Sequence, residues 1–182
     1  NILNGLDVNA PEVIETTVQN ICDAADSMSQ NKVGALIVWE RETKVGDIIR
    51  SGVNLDSVVS AELLVNIFVP NTPLHDGAVV VKNNRIAAAA CYLPLSNNLQ
   101  LDKDLGTRHR AGIGVSENTD CISIIVSEET GFVSVAQNGV LKRNIKEDML
   151  RKILLEELTP KTEAEKGASK RTKLFKRGGK QK

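Results

Sequence analysis

Two short stretches carry the residue types from which catalysis is built. The chain has two histidines, and each stands inside one of these stretches. The first is Leu74-His75-Asp76-Gly77-Ala78. Asp-Gly just ahead of an apolar run marks a turn entering a strand, yet His75 and Asp76 are both poor occupants of a buried apolar strand. The second is Gly106-Thr107-Arg108-His109-Arg110. A glycine and a hydroxyl residue entering a helix present free backbone N–H groups, which suit phosphate. Arg108 and Arg110 can add bidentate charge-assisted bonds. An acidic motif and a phosphate-like cradle together point to nucleotide chemistry. Taken singly, each has a plainer reading. Asp76-Gly77 could be an ordinary hairpin turn, and Arg108 to Arg110 a solvated first turn of a helix.

The elements that must position these stretches follow from apolar spacing. Val13, Ile14, Val18, Ile21, Ala24, Ala25 and Met28 predict a helix over Pro11–Gln30. Gly34–Trp39 is a short β-rich run and reads as a buried strand, with Trp39 in the core. Lys44–Ile49 is expected as a second, shorter strand closed by Ser51-Gly52. Ser60 caps a short helix over Ala61–Phe68. Pro70 and Pro73 break the chain before the first motif. Ala78–Val81 and Arg85–Leu93 read as strands about a tight turn at Asn83-Asn84. The four alanines at 87–90 favour helix, but the turn and the flanking valines favour the hairpin. Pro94–Asp104 is a polar loop, and a short helix is expected over Arg108–Val115. Cys121–Ser127, the turn Glu128–Gly131 and the returning Phe132–Ala136 precede Asn138-Gly139, a strong hairpin signal. Lys146–Leu158 is amphipathic, and Thr159-Pro160 stops it. Strands and helices interleave, so the expected fold class is α/β, a mixed β-sheet flanked by helices.

Composition narrows the function classes. At 182 residues, with 41% hydrophobic and only 3% aromatic content, the core must be aliphatic. Formal charge is zero. From Pro160 to Lys182, however, nine basic residues face two acidic ones, which leaves an acidic body and a basic tail. Cys22, Cys91 and Cys121 are widely separated in apolar surroundings, with no Cys-x-x-Cys pair, which fits reduced buried thiols rather than a zinc site. There is no signal peptide and no run of about 18 apolar residues. The chain begins at Asn1 without a methionine, and a further segment upstream is expected. Residues 1–158 are expected to form the catalytic domain. The charged tail, 159–182, is expected to be disordered.

At Asp76-Gly77-Ala78 and Gly106-Thr107-Arg108-His109-Arg110 the sequence resembles the diadenylate cyclase (DAC-domain) family, most closely its membrane-anchored CdaA-type members. Ala87-Ala88-Ala89-Ala90-Cys91-Tyr92-Leu93-Pro94-Leu95 and Ile125-Val126-Ser127-Glu128-Glu129-Thr130-Gly131 look alike too. The likeness covers roughly residues 10 to 158, with four motifs in order. It implies a twisted mixed β-sheet with surrounding helices, and condensation of two ATP molecules into cyclic di-AMP with release of two pyrophosphates. Asp76 would then activate the attacking 3′-hydroxyl, and Arg108 with the Thr107 backbone would stabilise charge on the α-phosphate. His75, Asp76 and Glu129 would be metal ligands for Mn or Mg, with Co as a further option; a plain turn carboxylate is the other reading of Glu129. The nucleotide would further touch Gly77, Ala78, Gly106 and Thr107. His109 would bond phosphate, and Arg110 would touch ATP or brace the motif. Tyr92 would lie against adenine, or else be a core aromatic, while the Leu93 backbone reads the base edge. Ser127 would contact phosphate or base.

The resemblance also implies a homodimer, since a ring made from two ATP molecules needs two sites face to face. The upstream segment would be transmembrane, placing the protein at the cytoplasmic face of the plasma membrane, with the tail near anionic lipid. Regulatory proteins stand open as partners. Two rivals are a non-catalytic adenine-nucleotide sensor of the same fold, and a nucleic-acid-binding module. Intact Asp76 and Arg-His-Arg weigh against the sensor. The acidic body and scarce aromatics weigh against nucleic acid.

Overall fold

The apolar stripe of Ile14, Val18, Ile21, Ala25 and Met28 folds as α1 (Pro11–Gln30), with Pro11 in its first turn. The computed structural model describes residue 8 and residues 10–159. After α1 the order is β1 (Ala35–Trp39), α2 (Gly46–Ser51), β2 (Val53–Val58), α3 (Ala61–Ile67), β3 (Ala78–Lys82) and β4 (Arg85–Cys91). There follow α4 (Thr107–Asn118), β5 (Ile122–Val126), β6 (Val133–Gln137), β7 (Val140–Lys142) and α5 (Glu147–Leu158). The strands form one seven-stranded sheet in the order β2-β4-β3-β1-β5-β6-β7. β1 runs parallel to β3 and antiparallel to β5, and the remaining pairs are antiparallel. The fold is therefore α/β with a mixed sheet, as expected.

The central strands are buried on both faces, which explains their unbroken apolar runs. Ile37, Trp39, Val79, Val81, Ile122 and Ile124 meet α1, α3 and α5 on one face. Leu36, Val38, Val80, Cys91 and Ile125 turn to the other, where α4 supplies Ile113 and Val115. Ser123 also lies on that side and donates its hydroxyl to the Gly112 carbonyl at 3.1 Å. Ser60 caps α3 as expected, its hydroxyl accepting from the Leu63 N–H at 3.2 Å. Asn138 and Gly139 both take positive φ, 51° and 75°, as a two-residue hairpin turn requires. The three cysteines are free and buried.

Two stretches depart from expectation. Lys44–Ile49 is not a strand: Gly46–Ser51 is the helix α2. Both edges of β1 are taken by β3 and β5, so the segment after it finds no free edge. The Glu40 carboxylate accepts from the Val45 N–H at 3.0 Å and turns the chain, and the ion pair of Asp47 with Arg50 has helical spacing. The edge strand β2 carries no fully buried residue, so it gave no apolar signal. Its register shifts between Asn54 and Ser57, with Asp56 at φ 45°. Elsewhere β4 keeps its four alanines but stops at Cys91, before Leu93. Beyond Thr159, the basic tail expected over 159–182 lies outside the described residues.

Candidate active site

The first motif enters β3 beside the end of β4. Gly77 has φ 104°, and a Cβ there would stand 2.6 Å from the Cys91 carbonyl oxygen, so only glycine lets the two segments cross. Ala90, opposite, is held at φ 52°, a strained conformation for a residue with a Cβ. The crossing ends the β4 ladder, and the Tyr92 N–H turns out to the Ser51 hydroxyl at 2.9 Å. Tyr92 is therefore thrown into solvent, 73% exposed, while Leu93 is buried. The core reading of Tyr92 is excluded, and its ring is free to stack.

A cavity of about 170 Å³ opens here, with Asp76, Gly77, Ala78, Tyr92 and Leu93 on one side and Thr107 and Arg108 on the other. Cys91 lines it too, but burial pushes its thiol up to about 11, so it is no nucleophile near neutrality. The Asp76 carboxylate is exposed and makes no hydrogen bond or ion pair among the described residues. His75 Nδ1 lies 2.7 Å from the Thr72 carbonyl oxygen. A carbonyl only accepts, so Nδ1 carries a proton, and in the neutral ring it is Nε2 that keeps its lone pair.

The second motif opens α4. Gly106 is its N-cap and offers no side chain to the first turn, so the leading amides stay free. A larger cavity, about 550 Å³, is lined by this turn, by Ser127 and Glu129 of the β5–β6 turn, and by Ser134 and Arg143. Thr107 and Arg108 line both cavities and form their boundary. Arg108 Nη1 donates to Glu128 Oε2 at 3.1 Å, while its Nε is buried without a partner. Gly34 supplies the seat: a Cβ there would stand 2.5 Å from Nη1. Burial, and then the charge of Arg143, hold His109 below its ordinary pKa, so near neutrality it is a neutral donor and not a third cation.

Other expected residues sort themselves around this boundary. Arg110 lines neither cavity. Its guanidinium donates to the Leu105 and Asp102 carbonyls at 3.3 and 3.2 Å, which is the bracing role. The Ser127 hydroxyl accepts from the Glu129 and Thr130 N–H groups at 3.3 and 3.2 Å, so it shapes the turn and retains its own proton to donate. Among the described residues no three His, Cys, Asp or Glu side chains gather as a metal cluster. Asp76 belongs to the smaller cavity and Glu129 to the larger, so one chain does not assemble the expected trio. Gly34 and Glu128 were missed by sequence reasoning. Gly34 looked like the start of a strand, and Glu128 like the outer half of an acidic turn.

The chain as a whole matches known proteins in profile, sequence and fold. The family profile described as DisA bacterial checkpoint controller nucleotide-binding, DAC, matches residues 22–141. The chain is 54% identical over 151 residues to the cyclic di-AMP synthase CdaA of Bacillus subtilis, covering 83% of this chain and 55% of that protein. It is 51% identical over 145 residues to a diadenylate cyclase of Listeria monocytogenes, covering 80% of this chain and 53% of that protein. It thus spans about half the length of these relatives. The crystal structure of a double mutant of Staphylococcus aureus DacA superposes with a TM-score of 0.78 at 46% identity, covering 80% of this chain and 97% of that one. A hypothetical membrane spanning protein of Bacillus cereus gives 0.68 at 48% identity, covering 70% of this chain and 62% of that one. Matched over most of its length by profile, sequence and fold, the chain belongs to the DAC family and is of the CdaA type.

Proposed function

We propose that the chain is the catalytic part of a diadenylate cyclase, joining two ATP molecules into cyclic di-AMP and releasing two pyrophosphates. The observation that carries this is the boundary at Thr107–Arg108. On one side lies a small cavity with an exposed aromatic and an unpaired carboxylate, and on the other a larger polar one. Adenine stacks on Tyr92 with its edge on the Leu93 backbone, where Gly77 and Ala78 leave room. The α-phosphate then lies at the free amides from Gly106 onward, with the buried Arg108 Nε awaiting an acceptor. Asp76 takes the proton of an attacking 3′-hydroxyl, whose oxygen bonds to the α-phosphorus as the bond to the β-phosphate oxygen breaks. Arg108 and the α4 amides stabilise the charge that develops there.

His75 and Asp76 fit a divalent ion, because Nδ1–H is committed to Thr72 and Nε2 is left as a donor of its lone pair. Mn or Mg, or Co, suits one imidazole with carboxylate and phosphate oxygens. When bound, the ion supplies charge neutralisation on the phosphates. Glu129 stands apart from this pair, in the lining of the larger cavity. One chain offers one cradle, so ring closure takes a homodimer. Among the described residues no helix is long and apolar enough to cross a membrane. The CdaA type and the membrane-spanning neighbour support a whole protein at the cytoplasmic face of the plasma membrane, anchored outside residues 10–159.

Incubating the chain with ATP and Mn or Mg and weighing the product by mass spectrometry tests the reading. Cyclic di-AMP and pyrophosphate are expected. ATP bound and recovered intact would establish the sensor instead.

A further inference from the structure

The Arg108–Glu128 pair stands on Gly34, where a Cβ would meet Arg108 Nη1 at 2.5 Å and Glu128 Oε2 at 3.1 Å. Gly34 lies just beyond the end of α1, and Glu128 belongs to the turn between β5 and β6. These two segments are tied to each other. The Ser29 hydroxyl, in the last turn of α1, donates to the Gly131 carbonyl at 2.5 Å. Gly131 is buried at φ 75°, and a Cβ on it would stand 2.5 Å from the Ser29 carbonyl oxygen, so only glycine lets the turn come this near. Bonds within the turn fix its shape. The Gly131 N–H donates to the Ser127 carbonyl at 2.9 Å, and the Ser127 N–H to that of Phe132 at 3.0 Å. They do not fix where the turn sits against Arg108. Among the described residues, only two hydrogen bonds join residues 127–132 to chain outside them, Ser29 to Gly131 and Arg108 to Glu128.

Packing does not hold the turn in place by itself. The larger site cavity lies on one side of it. On the other is a separate cavity of about 270 Å³, lined by Asp26, Ser29 and Gly131 and, at the start of α5, by Lys146 and Glu147. Thr130 and Phe132 line both, so the turn is a wall between two open spaces. A segment with space on both sides lacks the dense contacts that fix a core residue, and a directional bond must set its position. We propose that Ser29 is a positioning residue for Arg108. Its bond to Gly131 holds the β5–β6 turn, the turn holds Glu128, and Glu128 holds the guanidinium at the boundary where the α-phosphate reacts. Its bearing on turnover rests on the cyclase reading. Ser29 lines neither of the two site cavities, so it acts through the turn. The end of α1 thus sets both halves of the seat, Gly34 along the chain and Glu128 across it.

The test is a double-mutant cycle of Ser29→Ala and Glu128→Gln, read by steady-state cyclic di-AMP synthesis with Mn, with Ser29→Thr as the conservative control. Alanine favours helix more than serine does, so α1 is expected to persist, and thermal melting checks the fold. Ser29→Ala should lower kcat by about tenfold and move KM by less than about twofold, a part of the roughly hundredfold that a full 1 Å misplacement costs. Ser29→Thr keeps the hydroxyl and should restore most of the rate. In the Glu128→Gln background the same Ala change should cost less than about twofold, since the link it acts through is already cut. A second readout needs no turnover: proton exchange at the Arg108 Nε–H, identified in NMR spectra by its absence from Arg108→Lys. That group is buried in the unmodified chain. Loss of one hydrogen bond from its support should speed the exchange about fivefold. An unchanged exchange rate in Ser29→Ala, a kcat equal to that of an active unmodified chain, or an equal loss of rate with and without Glu128→Gln would overturn the positioning role. Faster exchange in Ser29→Ala beside an unmodified chain that makes no cyclic di-AMP would uphold the placement of Arg108 by Ser29 and overturn the cyclase reading instead.

Discussion

The Arg108 guanidinium is placed by three parts of the chain that lie apart in sequence. α4 carries it, Glu128 holds one of its nitrogens, and Gly34 leaves the space beneath. Gly34→Ala would put a methyl group within the guanidinium's own volume and push it off the boundary between the cavities. A displacement of about 1 Å at a reacting group costs on the order of a hundredfold in rate. We therefore expect kcat/KM to drop by about that factor while urea denaturation moves little; an Ala variant at full rate would show that Arg108 needs no fixed seat. At the other end of the site, stacking on an aromatic is worth about 1–3 kcal/mol. Tyr92→Ala should weaken nucleotide binding by about tenfold or more, and Phe should restore most of it. Because Tyr92 is 73% exposed, its loss should scarcely move the melting temperature. Asp76 and the Thr107–Arg108 pair were legible in sequence because each breaks a local rule for core or loop, whereas Tyr92 came only through the family resemblance. Gly34 and Glu128 were not, because their use appears only when the α1–β1 connection and the β5–β6 turn meet over Arg108.

The elements transmit these placements. α4 sets His109 against the sheet, where burial and then Arg143 keep its pKa below the ordinary 6.5. The sign follows directly: the folded protein keeps His109 neutral, while the unfolded chain protonates it below about 6.5. Its contribution to stability is present above that pH and is lost as pH falls through the lower folded value. Urea unfolding at pH 7.5 and pH 5.5 should show a smaller pH-linked loss for His109→Gln than for the unmodified protein. Identical losses would mean that the imidazole is not held neutral. Elements with an apolar period were readable, from α1 to the Asn138-Gly139 hairpin. α2 and β2 were not, for a common reason. Neither has a fully buried residue, and what decides between helix and strand there is which sheet edge is free. The central edges are filled by β3 and β5, and β2 pairs at the outer edge of β4.

At the scale of the molecule, the mixed sheet flanked by helices followed from interleaved signals, but the parallel β1–β3 pairing and the strand order did not, since they depend on contacts between distant segments. The sheet brings Asp76 and Arg108 to one cavity, yet one chain presents a single phosphate cradle. Specific activity should therefore climb with protein concentration until pairing saturates. A strictly monomeric, dilute sample working at full rate would contradict the face-to-face arrangement. The most direct test of the chemistry itself is the rate of cyclic di-AMP formation by Asp76→Asn beside that of the unmodified chain, with nucleotide affinity measured on both. Asn keeps the shape of the side chain and removes its charge. Synthesis should fall by orders of magnitude while the fold and nucleotide binding persist. Near-normal synthesis by Asp76→Asn would contradict the assignment of this cavity as the place where the 3′-hydroxyl is activated.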